Sequence, residues 1–158
     1  QEPAVTRDRD HIQHVYRNRK VFHDYLIEDR VEAGISLLGS EVKSLRQGRG
    51  NLADAYVLFR NGEAWLINAH ITPYPQATHE NHEPLRERKL LLSRRELRKL
   101  AAKVKEKGYS LVPTAMYFKG PWIKVELGLG RGKKKHDKRS ALKEREDRRD
   151  MDRAARDR

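Results

Sequence analysis

The sequence contains no cysteine, which excludes disulfides, thiolate zinc sites and a cysteine nucleophile. It holds no run of about 18 apolar residues, the length a membrane-spanning helix needs, and no basic helix with a broad apolar face for lying on a bilayer. No membrane association is expected. Gln1 to Lys20 is mostly polar, so no secretory leader is read there. A phosphate-binding glycine loop is missing too: Gly128-Leu129-Gly130-Arg131-Gly132 follows a strand pattern but opens into lysines instead of a capped helix. The one metal-like spacing is His79-Glu80-Asn81-His82-Glu83, with His70 nearby in the chain. Zinc needs three or four converging ligands, and two histidines in a Pro-flanked loop supply neither the count nor a rigid base. No Ser-His-Asp ordering is recognisable. The chain is therefore read as a non-enzyme with no metal and no cofactor.

What the sequence has is positive charge: 35 Lys and Arg against 23 Asp and Glu, a net charge of +12. That excess favours anionic partners, although charge alone does not separate nucleic acid from an acidic membrane. Its distribution is uneven. Between Arg131 and Arg158 stand 13 basic and 7 acidic residues, so about half the excess sits in under a fifth of the chain. The densest part is Gly132-Lys133-Lys134-Lys135-His136-Asp137-Lys138-Arg139. Nothing apolar there can bury those charges, so the segment is expected to be disordered when free and to be ordered by a polyanion, with RNA the leading choice. Three regions follow: residues 1–17 a variable N-terminal segment, 18–130 a globular body, and 131–158 a basic tail.

The body reads as mainly β. Val21, Tyr25 and Ile27 alternate with Phe22 and Leu26 in a first strand, and Ala33, Ile35 and Leu37 mark a second. Ala55 to Phe59 and Glu63 to Ile71 flank Asn61-Gly62, a strong hairpin signal because both residues tolerate positive φ. Ala115 to Phe118 and Trp122 to Leu129 flank Lys119-Gly120-Pro121, a second hairpin. In its later strand Ile123, Val125, Leu127 and Leu129 point one way, and Lys124 and Glu126 the other. The clearest helix is Arg94 to Lys107. Ser93 is its N-cap, Glu96 completes a capping box, Leu92 and Leu97 form the staple, and Gly108 ends it. Leu97, Leu100, Ala101 and Val104 make its apolar stripe. A shorter helix covers Glu41 to Arg46 and stops at Gly48. Short antiparallel strands with about three small helices indicate a closed or partly closed barrel of the OB type, with a split α+β sandwich as the alternative.

Four segments, at these relative positions, closely resemble one family: Gly39-Ser40-Glu41-Val42-Lys43-Ser44-Leu45-Arg46, Arg88-Lys89-Leu90-Leu91-Leu92, Glu32-Ala33-Gly34, and Gly132 to Arg139. The family is that of the SsrA-binding proteins, also called small protein B, and the match runs from about Asn18 to Lys143. The resemblance implies an OB-type barrel and a role in bacterial trans-translation, the rescue of stalled ribosomes. It implies binding to the tRNA-like domain of transfer-messenger RNA, with elongation factor Tu and alanyl-tRNA synthetase engaged through that RNA, in the cytoplasm and as a monomer. The tail would lie in the empty message channel of the ribosome.

The resemblance assigns RNA contacts on the body to Asn18, Glu32 and Leu91. By itself Glu32 is a solvent-facing strand residue, yet a carboxylate can accept from a base amino group or a 2′-hydroxyl. Leu91 by pattern alone belongs to the core; the resemblance makes it an exposed apolar contact. Arg19, Lys20, Lys43, Arg46, Arg88, Lys89 and Lys124 are candidate phosphate contacts, singly plain surface charges and meaningful as a group. In the tail, Gly132 leads into Lys133, Lys134, Lys135, Lys138 and Arg139, which would release counterions from ribosomal RNA. His136 would stack on a base of the decoding centre, oriented by Asp137. Glu144/Arg148 and Asp152/Arg156 stand at helical i,i+4 spacing, contributing a few tenths of a kcal/mol each, so the tail is expected to become helical only on the ribosome. Ser40 and the loop Tyr74 to Glu83 depart from the family's pattern. A rival within RNA binding is a ribosomal protein or initiation-factor-like OB domain with a basic extension.

Overall fold

A computed structural model describes residues 11–75 and 81–133. Nine strands and three helices run in the order β1 (Ile12–Arg17), α1 (Arg19–Asp24), β2 (Tyr25–Ile35), α2 (Gly39–Arg46), β3 (Gly50–Asn51), β4 (Tyr56–Arg60), β5 (Glu63–Ile67), β6 (His70–Ile71), β7 (Arg88–Leu91), α3 (Arg94–Lys107), β8 (Ser110–Lys119) and β9 (Trp122–Gly132). Seven strands form one antiparallel sheet in the order β1-β8-β9-β2-β7-β5-β4, and β3 pairs with β6 in a second, two-stranded sheet. The large sheet curls until β4 lies close to β8, with no hydrogen-bonded ladder closing the barrel among the described residues.

Both hairpins form. Asn61 and Gly62 take φ of 54° and 74°, the positive values a tight turn between twisted strands requires. The second turn narrows to Gly120-Pro121, with Lys119 opposite Trp122 and Gly120 at φ 58°. α3 has the expected bounds. The Ser93 hydroxyl accepts from the Glu96 N–H at 3.2 Å, but the Glu96 carboxylate accepts from that hydroxyl and not from the Ser93 backbone, so half of the capping box is made. Gly108 closes the helix in the left-handed region at φ 68°. Leu97 and Leu100 enter a core shared with Ala33, Leu45, Leu66, Leu90 and Val125, and burying a leucine contributes roughly 1.5–3 kcal/mol.

Several boundaries differ from the sequence reading. Val21 to Asp24 belong to helix α1, not to a strand: a six-residue helix is too short to display its own periodicity, and Val21 alone is buried there. The rest of that expected strand and the next one, marked by Ala33 and Ile35, form a single strand, β2, with a bulge between Ile27 and Asp29 where it pairs with β9. The N-terminal segment set aside before Asn18 contributes β1, which pairs with β8. Arg131 and Gly132, assigned to the tail, are the last rungs of β9 opposite Leu26 and Tyr25.

Candidate RNA-binding face

Alternation along each strand sorts side chains onto two faces, and the register places the outward ones in rows. One row runs from Leu91 on β7 to Gly34 on β2, Lys124 on β9, Tyr117 on β8 and His14 on β1. Glu32 and Arg30 share that face on β2, and Glu126 stands opposite Glu32. Lys89 lies two residues before Leu91, opposite Trp65. Four sequence candidates from three distant segments thus come together: Glu32 on β2, Lys89 and Leu91 on β7, and Lys124 on β9.

Leu91 is 51% exposed, because Leu90 takes the inward position beside it. Glu32 accepts from the Tyr117 hydroxyl, and the Lys119 ammonium lies at 3.4 Å. Burial pushes the Glu32 carboxyl up, but the Tyr117 bond and the nearby Lys119 and Lys124 charges more than reverse this, so its pKa lies below its ordinary value. Burial, then the bond to Glu32, raise the Tyr117 hydroxyl well above its own. At neutral pH the pair is a carboxylate held by a phenol, with acceptor capacity left for an RNA donor.

Beside this row is a hollow of about 290 Å³ lined by His14, Arg17, Arg19, Phe22, Arg30 and Glu126, among others. The Arg30 guanidinium lies 5.0 Å over the Phe22 ring and 3.6 Å from Glu126. The His14 and Tyr117 rings are 5.5 Å apart. Burial first, then the Arg17 charge, lower the His14 pKa, so its ring is neutral at pH 7. Guanidinium groups beside aromatic rings suit phosphates and stacked bases. Of these residues the sequence reading made only Arg19 an RNA contact. Arg17 fell in the segment set aside, and Arg30 was recoverable from the alternation that puts it on the same face as Glu32.

Other candidates sit elsewhere. Lys20 lies 3.8 Å from Asp54. Lys43 and Arg46 are on α2, over the Tyr74 and Phe118 rings at 5.6 and 5.4 Å, away from the Leu91 row. Two of the assigned residues are buried, and the second needs correction. Asn18 is 1% exposed, and its amide donates to the carbonyls of Leu52 at 2.9 Å and Pro113 at 3.0 Å. It is a peg that holds Arg17 and Arg19 in place, and its Oδ1, without a partner among the described residues, borders the hollow they line. Arg88 is fully buried. It donates to Glu41 at 2.5 Å and to the Ala69 carbonyl at 2.7 Å, while Arg86 reaches Glu41 at 2.6 Å. Those charges fasten β7 to α2 and leave Arg88 nothing for a phosphate. His82 is similarly committed, at 2.9 Å from the Ser40 hydroxyl and 2.8 Å from the Ile71 carbonyl. Ser40 and the loop Tyr74 to Glu83 therefore touch. Among the described residues no group of three metal-binding side chains converges. Gly132 and Lys133 close β9 and follow it; Lys134, Lys135, His136, Asp137, Lys138 and Arg139 lie outside the described residues.

The SmpB protein family model matches residues 15–157. The chain belongs to the SmpB protein family. The SsrA-binding protein of Microcystis aeruginosa is 56% identical over 146 residues, covering 92% of this chain and 95% of that protein. That of Bacillus cytotoxicus is 51% identical over 144 residues, with 91% and 93% covered. A solved chain described under tmRNA-SmpB and a journey to the center of the bacterial ribosome is 45% identical, with a TM-score of 0.63 over 80% of this chain and 93% of that one.

Proposed function

We propose that this protein binds the tRNA-like domain of transfer-messenger RNA through the outer face of β1, β8, β9, β2 and β7, and delivers it to stalled ribosomes for trans-translation. The carrying observation is the gathering of Glu32, Leu91 and Lys124 on one exposed face, beside a hollow lined by arginines, in a chain of the SmpB family. Lys124, Lys89 and the arginines neutralise phosphates and set the register; Glu32 accepts from a base or ribose; Leu91 supplies apolar contact. Elongation factor Tu and alanyl-tRNA synthetase act through the RNA, the protein works as a monomer, and the ribosome places it in the cytoplasm. The residues from Gly132 to Arg139 contact ribosomal RNA, with His136 stacking at the decoding centre.

Binding of the full chain, and of a chain truncated after Lys133, to the tRNA-like domain and to an unrelated structured RNA of equal length tests this across a salt series. Both chains should keep their preference for the tRNA-like RNA at high salt. Loss of that preference, with tight binding to isolated ribosomal subunits, would favour the ribosomal-protein reading.

A further inference from the structure

The root of the tail is held by side chains gathered beside α3. In the β2 bulge Glu28 is the residue left without a ladder partner, since Ile27 pairs with Gly130 and Asp29 with Leu129. A bulge re-aims its extra side chain. Here the Glu28 carboxylate accepts from the Tyr109 hydroxyl at 2.5 Å and from the Arg131 guanidinium at 2.9 Å. Arg131 also lies over the Tyr109 ring at 5.3 Å, with Lys103 over the same ring at 5.5 Å. Tyr109 is delivered to this spot by the left-handed turn at Gly108 that ends α3. Two backbone features complete the arrangement. Gly130 lets β9 pass so close to β2 that a Cβ there would stand 2.4 Å from the Leu26 carbonyl oxygen. Beyond the strand, the Lys133 N–H donates to the Asp24 carbonyl at 2.9 Å, at the end of α1.

We propose that Glu28, Tyr109 and Arg131 form a clamp that fixes the direction in which the basic C-terminal segment leaves the body. Each contact alone is weak at an exposed site. Three of them close a triangle between Glu28, Tyr109 and Arg131, and the backbone bonds at Gly132 and Lys133 continue the line they set. The bonds from Tyr109 and Arg131 hold the Glu28 carboxyl below its ordinary pKa, so it is ionised at neutral pH. The clamp residues are positioning residues. They touch neither RNA in the proposed complex, and they matter because a tail aimed from a fixed root searches less space for its channel than one swung from a free joint. This inference rests on the functional reading above.

The test uses the full chain carrying Tyr109→Phe or Glu28→Ala, which remove the hydroxyl or its acceptor at partly exposed positions. Amide exchange at Lys133 is read by NMR, alongside affinity for the tRNA-like RNA and the rate at which transfer-messenger RNA tags nascent chains on stalled ribosomes. Lys133 exchange should accelerate about tenfold or more and tagging should fall several-fold. Affinity, and exchange within the β8–β9 hairpin, should stay at the wild-type level. Unchanged Lys133 protection overturns the clamp, and so does wild-type tagging after protection is lost. Failure of the wild-type chain to support tagging at all would instead overturn the functional reading, while the exchange data still judge the clamp.

Discussion

The cluster Glu41–Arg86–Arg88 and the face Glu32–Tyr117–Lys124 use the same residue types for opposite ends. In the first, Arg88 and Glu41 are sealed from water, and every charge finds a partner across α2, β7 and the loop before it. In the second, the carboxylate is held by a phenol and flanked by lysines that reach solvent. A buried ion needs its partner to exist at all; an exposed one is free to find another. Burial, not residue type, decides which arginines of this basic chain are available to RNA.

Breaking the scaffold side should give the largest effect. Arg88→Ala leaves Glu41 buried and half-neutralised, and should cost about 3–5 kcal/mol in urea unfolding. RNA affinity per folded molecule should change far less. Acid should strike the same cluster. Burial alone would raise the Glu41 carboxyl, but hydrogen bonds from Arg86, the Leu38 N–H and Arg88 bring its pKa below the ordinary 4.5. Its stabilising contribution is therefore complete above that value and is lost as pH falls from there through the folded pKa. Stability measured from pH 7 down to 3 should drop in this window, and Glu41→Gln should flatten that part of the curve.

Changes on the outer face should invert the pattern. Leu91→Ala should weaken binding to the tRNA-like RNA roughly tenfold, about 1.4 kcal/mol, by titration at fixed salt. Its stability should move by about 0.5 kcal/mol or less, as for other exposed positions. The smallest effect belongs to Lys124→Ala, which should lower affinity evenly across RNAs and reduce the slope of log affinity against log salt by about 1.

How much of this was legible depended on range. α3 was readable because its cap, stripe and terminating glycine lie within one stretch, and each hairpin carried its turn residues between its strands. Helix α1 was not, since one buried valine in six residues leaves no period to detect. Arg88 was misassigned because its partner Glu41 is 47 residues away. Yet the alternation held a clue: once Leu91 faces out, Leu90 faces in, and Arg88 must share the inward face with Leu90. The gathering of Glu32, Leu91 and Lys124 depended on a strand order, β9-β2-β7, that local pattern does not reveal.

The central claim is tested most directly by comparing Glu32→Ala with Leu91→Ala in one chain against Glu41→Gln, reading affinity for the tRNA-like domain and the unfolding midpoint of each. The account predicts a loss of tenfold or more in affinity with a near-native midpoint for the outer-face pair, and the reverse for Glu41→Gln. An outer-face pair that binds like wild type would contradict it.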